Sequence, residues 1–358
     1  MYLSPFAAIN LMAGDRAPQC VGVTTAGKLY SFEEQAGRPV ALVLVRDTAV
    51  EGLAGMLAAF TAARADFAAL DADVVFLFRE EAGDLIEFAM EHPTDCLLVG
   101  NAAMFLDAIQ FSSDLCEVVV LDRNIRAAAT FRPNDPEALV AASLEAIGSL
   151  PVEEPRNIVL PAPILILPNV LNKPLCAELI QLHRNSGAFD SGFVSIDQNG
   201  QQVVRVDHSI KKRKDILLPR DNEINIQLSR VIMDRIRFEV KRAFQADITH
   251  MDRLLISAYD DTGGHFKRHR DDMPAKVAFR QFALSINLNA EDYDGGYLTF
   301  PEYNSHRYKA PTGAAVIFSA KVLHEVSQIT RGERFALLSF MHNDAGEVLR
   351  RQIEEPAA

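Results

Sequence analysis

The sequence predicts two domains. Residues 1–150 read as an α/β domain, 151–163 as a linker, and 164–358 as an α+β domain with a small β-barrel or jelly roll at its core. Three features carry this reading. Apolar runs alternate with alanine-rich helical stretches up to residue 149, four prolines crowd "PVEEPRNIVLPAP", and short strands with Gly and Pro punctuation follow from 253 onward. A length of 358 residues also exceeds one ordinary domain of about 150.

In the first domain "PVALVLV" (39–45) is a continuous apolar run, suited to a strand buried on both faces, and 49–70 continues as a helix. "ADVVFLF" (72–78) is a second strand and "DLIEFAMEH" a short helix. "CEVVVLD" (116–122) and "IRAAATF" form a hairpin about Arg123 and Asn124, and a helix over 135–149 closes the domain. In the second domain "LPNVLNKPLCAELIQLHRNSG" predicts an amphipathic helix over 173–184. A longer helix starts at Asp221 or Asn222 as N-cap, with Ile224, Leu228, Val231, Ile232, Ile236, Val240 and Phe244 on one stripe. Six strands then follow: "RLLISAY", "FALSINLN", "GGYLTF", "HRYKA", "GAAVIFSA" and "RFALLSFMH".

Hydrophobic residues make up 49% of the chain, enough for a substantial core. The net charge of −12 falls on residues 1–150, with 9 Lys and Arg against 21 Asp and Glu, while residues 151–358 balance 27 against 27. Neither half has the basic bulk charge of a nucleic-acid binder. "MYLSPFAAINLMAGDRAP" lacks a basic start and reaches Asp15 and Arg16 early, so no secretory signal is expected. No apolar run approaches the roughly 20 residues of a membrane span. Cys20, Cys96, Cys116 and Cys176 are widely spaced without a CxxC, which reads as buried thiols in a reducing cytoplasm.

"HFKRHRDD" (265–272) concentrates candidate ligands. Residues at i and i+2 of a strand project to one side, about 7 Å apart, so His269 and Asp271 face together. Imidazole plus carboxylate suits a divalent first-row metal, and a third donor must come from elsewhere. "VLHEV" offers His324, and ten residues on Arg334 begins another strand.

This constellation resembles the Fe(II)/2-oxoglutarate-dependent dioxygenases, in particular their prolyl-hydroxylase-like branch. The matching elements are Tyr259, Gly263 and Gly264, Phe266, His269 with Asp271, "GGYL" at 295–298, His324 and Arg334, within residues 160–345. The resemblance implies a double-stranded β-helix core, Fe(II) held by His269, Asp271 and His324, and Arg334 gripping the far carboxylate of 2-oxoglutarate. It also implies O2 as second cosubstrate, succinate and CO2 as products, hydroxylation of a C–H bond, and ascorbate as a further candidate cofactor. Tyr259 matches a tyrosine beside the cosubstrate in the animal oxygen-sensing prolyl hydroxylases. Asn287 stands where those enzymes carry a second cosubstrate-binding tyrosine, and its amide could donate to the same carboxylate. The substrate expected is a small molecule, a peptide or a protein. A metal- and 2-oxoglutarate-binding sensor or scaffold on the same fold is the alternative.

Other polar residues read as structural. His265 reads as pocket rim, Asp272 as a turn residue, His342 as a satisfied core histidine and "KKRKD" (211–215) as a solvated face, with a contact to an acidic substrate or a phosphate as its alternative. In the first domain, "GDRAPQ", "GKLYSFEEQAGRPVALVLV" and "VVVLDRNIRAAATF" resemble the peroxiredoxin branch of the thioredoxin-like fold. That family places its reactive cysteine in a Pro-x-x-x-Thr-x-x-Cys turn after the central strand. Here "RDTAVEGLAG" keeps Thr48 but has neither the proline nor the cysteine, which leaves thiol peroxidase chemistry without its nucleophile.

Overall fold

In the computed structural model the residues described are 10–32, 36–132, 135–152, 157–196, 202–273 and 275–354. The N-terminal nine residues, on which the reading of a missing leader partly rests, and 153–156 of the linker lie outside them. The chain divides into two compact units, Met1–Pro155 and Arg156–Ala358.

The first unit is a seven-stranded mixed sheet. From edge to edge it runs Leu29–Ser31, Val21–Thr24, Leu97–Gly100, Asp73–Phe78, Val40–Val45, Glu117–Leu121 and Ala127–Phe131. Val40–Val45 pairs parallel with Asp73–Phe78, which pairs parallel with Leu97–Gly100, and the outer pairings are antiparallel. Alternation along the central strands feeds two cores. Val43, Val45, Phe76 and Phe78 pack with Leu57, Phe60 and Leu139 on one face, and Leu42, Leu44, Val75 and Leu77 pack with Phe105 and Leu106 on the other. Burial on both faces explains why these strands are unbroken apolar runs. The helix expected over 49–70 starts only at Leu53, after Gly52 at φ 81°, and divides at Ala63 into Leu53–Ala62 and Arg64–Ala69. The strand Leu97–Gly100 and helix Ala103–Ala108 have no counterpart in the sequence reading, both being too short for a periodic pattern.

The second unit holds a large antiparallel sheet in the order Ile164–Leu167, Ala315–Ser319, Phe282–Asn287, Arg334–His342, Leu254–Tyr259, Lys214–Leu218 and Phe189–Asp190, with His250–Met251 also paired to Arg334–His342. One face is covered by the helices Lys173–Asn185 and Glu223–Phe244, through Leu179, Leu228, Ile232, Ile236 and Val240 packed on Ile256, Leu284, Ile286 and Leu337. The long helix is capped by Asn222, whose side chain accepts from Ile224 N; Ile224 itself is exposed rather than part of the buried stripe. The other face meets a four-stranded sheet of Lys211–Lys212, His265–His269, His324–Val326 and Leu298–Thr299 across a layer containing Tyr259, Phe300, Phe318, Val326 and Phe340. "HRYKA" contributes a single bridge, Tyr308 to Leu298, rather than a strand. The proline that follows at 311 has no amide to extend the ladder.

Among the described residues no helix is long and apolar enough to cross a membrane. All four cysteines are buried and free, and burial pushes the thiols of Cys20 and Cys176 up to about 12 and that of Cys116 up to about 11. Such thiols stay protonated at neutral pH. Alkylation by iodoacetamide at pH 8 should therefore be slow in the native protein and complete only in denaturant. Rapid labelling of one native cysteine would identify a reactive thiol that this fold does not provide.

Candidate metal and anion site

Strand pairing brings the candidate ligands together. His265–His269 runs antiparallel to His324–Val326 with His269 directly opposite His324, after an irregularity that begins at Phe266. Asp271 lies two residues beyond the strand end, where its amide donates to the Ala320 carbonyl at 2.9 Å. His269 Nε2 is 3.5 Å from Asp271 Oδ1, and His324 Nε2 is 3.4 Å from Asp271 Oδ2. One donor atom from each of the three falls within 4.8 Å of the others, the one such group of His, Cys, Asp or Glu among the described residues.

The imidazoles are oriented from behind. His269 Nδ1 meets the Lys267 carbonyl at 2.7 Å and His324 Nδ1 meets the Val322 carbonyl at 3.0 Å. A ring nitrogen facing a carbonyl carries the proton, so both Nε2 atoms keep their lone pairs for the space beside Asp271. Phe266 stacks on His269 with centroids 3.5 Å apart, and Phe318 meets the His324 ring edge at 4.6 Å. Burial pulls His324 down to about 4, so it stays neutral at pH 7. Burial would raise Asp271, but His324, His269 and Arg280 more than offset it and hold the carboxyl below its usual range. Two imidazoles and one carboxylate are the donor set that suits a divalent first-row cation.

A cavity of about 970 Å³ joins this group to Arg334 and Tyr259. Arg334 is 1% exposed. Its Nη2 donates to Asn287 Oδ1 at 3.2 Å and to Ser285 Oγ at 3.3 Å, while Nε and Nη1 have no partner. The guanidinium lies 5.0 Å from the centroid of the Tyr259 ring, and the Tyr259 hydroxyl accepts from Arg213 at 3.1 Å. A buried guanidinium with two idle donors has the geometry to accept a carboxylate.

Asn287 supports this guanidinium from another direction than the sequence suggested. Its amide nitrogen donates to the Ala310 carbonyl at 2.6 Å and its oxygen accepts from Arg334, which uses the side chain to position the guanidinium. A second tyrosine beside Arg334, with no signal in the sequence pattern, is Tyr293. Its hydroxyl is buried without a hydrogen-bond partner, and burial raises its pKa against the opposing pull of Arg334. A Cβ on Gly296, at φ 61°, would come within 2.9 Å of Arg334 Cδ and 3.2 Å of Tyr293 Cε2. The second glycine of "GGYL" thus lets the two side chains close on each other.

The remaining expectations divide. His265 has both ring nitrogens against main-chain carbonyls, Gly263 at 2.7 Å and Ser209 at 3.3 Å, and Asp272 pairs with Lys321 at 2.9 Å. His342 is fully buried, with Nε2 3.1 Å from Glu347. The reading of "KKRKD" as a solvated face is overturned. Lys211, Arg213 and Asp215 are buried along the cavity wall, and Lys214 points out. Period-two alternation buries every second residue whatever its charge, and here the run passes from one sheet to the other at Arg213.

Residues 254–342, which include all the candidate ligands, match the sequence model of the 2OG-Fe(II) oxygenase superfamily. A PKHD-type hydroxylase of Synechococcus sp. (strain JA-2-3B'a(2-13)) is 32% identical over 106 residues, 28% of this chain and 47% of that protein. The chain spans about half the length of the curated relatives it matches. Among solved structures, a Pseudomonas putida prolyl-4-hydroxylase is 20% identical, covering 50% of this chain and 92% of its own at a TM-score of 0.38. The peroxidoxin BcpB of Mycobacterium tuberculosis is 16% identical, covering 40% of this chain and 99% of its own at a TM-score of 0.36.

Single substitutions test the donor set. His269→Ala, Asp271→Ala and His324→Ala should each weaken Mn(II) binding, followed by electron paramagnetic resonance, by at least tenfold with the thermal midpoint little changed. His265→Ala should bind Mn(II) as the unaltered protein does. The reverse order, His265→Ala defective and His269→Ala intact, would contradict the assignment.

Proposed function

We propose that the chain is an Fe(II)- and 2-oxoglutarate-dependent dioxygenase that hydroxylates a C–H bond of a small molecule, a peptide or a protein and releases succinate and CO2. In this reading residues 164–358 form the catalytic domain, with the two facing sheets as a double-stranded β-helix. Residues 1–150 are an accessory thioredoxin-like domain without thiol chemistry. The observation that carries it is the pairing, in one cavity, of the His269–Asp271–His324 group with a buried Arg334 whose Nε and Nη1 have no partner. Binding an anion there satisfies donors that are otherwise costly to bury, by roughly 1–3 kcal/mol for each unmet group.

The proposed division of labour follows from the contacts. His269, Asp271 and His324 would hold Fe(II), which supplies the oxidising chemistry once O2 and 2-oxoglutarate are bound. Arg334 holds the far carboxylate of 2-oxoglutarate with the fork of its guanidinium, Asn287 and Ser285 keep that fork in one orientation, and the Tyr259 ring lies along its face. Phe266, Leu298, Phe318 and Val326 give the cavity apolar walls, which limit water around the reacting groups. A prolyl target, as in the prolyl-hydroxylase-like branch, is the narrower form of the proposal.

Arg334→Ala is the direct test of the cosubstrate assignment. Charge-assisted hydrogen bonds of this kind contribute about 1.5–3 kcal/mol, so 2-oxoglutarate affinity, measured calorimetrically with Mn(II) in place of Fe(II), should fall about tenfold to a hundredfold. Mn(II) affinity should hold, since Arg334 touches no ligand. Unchanged 2-oxoglutarate affinity in Arg334→Ala would remove the assignment.

A further inference from the structure

The cavity is lined by seven Lys or Arg side chains against two Asp. Most of these cations are already matched. Arg268 meets Glu325 at 3.2 Å, Arg270 meets Glu302 at 2.5 Å, and Arg213 meets Asp215 at 2.7 Å. Arg280 places two donors on Asp252, at 2.7 and 3.0 Å. With Arg334 assigned to the cosubstrate, Lys211 and Arg253 remain. Lys211 is buried and donates to a neutral acceptor, the Gly192 carbonyl, at 2.8 Å. Arg253 is solvent-accessible and, among the described residues, has neither a hydrogen bond nor an ion pair. The surrounding protein and the Arg280 guanidinium disfavour its charge while Asp252 and Asp215 favour it; burial, then Arg213 and Arg253, bring Lys211 down to about 6 against the pull of Asp215 and Asp271.

The position of Arg253 is informative. It precedes the strand Leu254–Tyr259, whose last residue pairs with Arg334. Arg253, Leu255 and Tyr259 line the cavity from alternate positions, and six residues at about 3.3 Å each put roughly 20 Å between the two ends. Arg253 and Arg280 flank the Phe340 ring at 5.6 and 3.7 Å, and Arg280 also donates to the Asp271 carbonyl at 3.5 Å. Arg280 thus links the Arg253 end of the strand to the main chain of Asp271. Buried beside them, Arg213 is 7% exposed and its Nε has no partner. Seven basic side chains facing one cavity with two carboxylates repel each other on balance, and an anion bound among them relieves that repulsion.

We propose that the primary substrate carries an anionic group, a carboxylate or a phosphate ester, and that Arg253, on the cavity it shares with Lys211, holds that group at the end of Leu254–Tyr259 remote from Arg334. Calling this ligand the substrate rests on the dioxygenase reading; the anion site itself does not. The test is calorimetric titration of the full chain, loaded with Mn(II) and saturating 2-oxoglutarate, with malonate, with inorganic phosphate and with uncharged malonamide. At least one anion should bind tenfold or more tightly than malonamide, and which one does separates a carboxylate from a phosphate preference. Arg253→Gln should abolish most of that preference and Arg253→Lys should retain part of it, both with a near-native thermal midpoint. Anion binding no tighter than malonamide would overturn the proposal, as would undiminished binding in Arg253→Gln or binding lost only in Arg334→Gln. Failure of 2-oxoglutarate itself to bind would sink the dioxygenase reading alone, because the phosphate comparison between the unaltered chain and Arg253→Gln would still decide this one.

Discussion

The second unit is organised around a permanent cation that it buries without an opposite charge. Arg334 is 1% exposed, and among the described residues its hydrogen bonds go to neutral groups, Asn287 and Ser285. An isolated charge in such a place is costly, and a fold keeps one when a ligand completes the pairing. The neighbouring sequence answers to this constraint. Gly296 has no side chain because Arg334 and Tyr293 close over it, and Asn287 spends both ends of its amide, one on Arg334 and one on the Ala310 carbonyl.

In the same cavity a second constraint is charge of the opposite kind. Asp271 is a carboxylate held ionised between two imidazoles whose Nδ1 atoms are tied to the main chain. It leaves three donors converging with their lone pairs free, an arrangement that a dication would complete as an anion completes Arg334. The strand pairing of His269 with His324 and of Tyr259 with Arg334 joins these two demands in one cavity. Neither half explains the cavity alone.

Much of this is legible in the residue spacing. His269 and Asp271 at i and i+2, His324 at the start of a strand and Arg334 at the start of the next converge because antiparallel pairing aligns strand ends. The parallel core of the first unit is equally legible, since unbroken apolar runs need cover on both faces. What spacing hides is direction and partnership. "KKRKD" looks solvated by composition, yet alternation turns Lys211, Arg213 and Asp215 inward, where Arg213 pairs with Asp215 and Tyr259 and Lys211 donates to the Gly192 carbonyl. Tyr293 reaches Arg334 from a turn with no periodic pattern, and Asn287 is aimed by a carbonyl 23 positions away. Short elements such as Leu97–Gly100 are held by neighbours distant in sequence rather than by local preference.

The central claim is that the metal-binding group and the Arg334 cradle act together on one cosubstrate. Its most direct test is the release of succinate from 2-oxoglutarate by the full chain under air, with and without added Fe(II). Iron-dependent succinate formed in equal amount to CO2 is the predicted result. Binding of both Fe(II) and 2-oxoglutarate with no succinate would contradict it, and would turn the same cavity into that of a sensor.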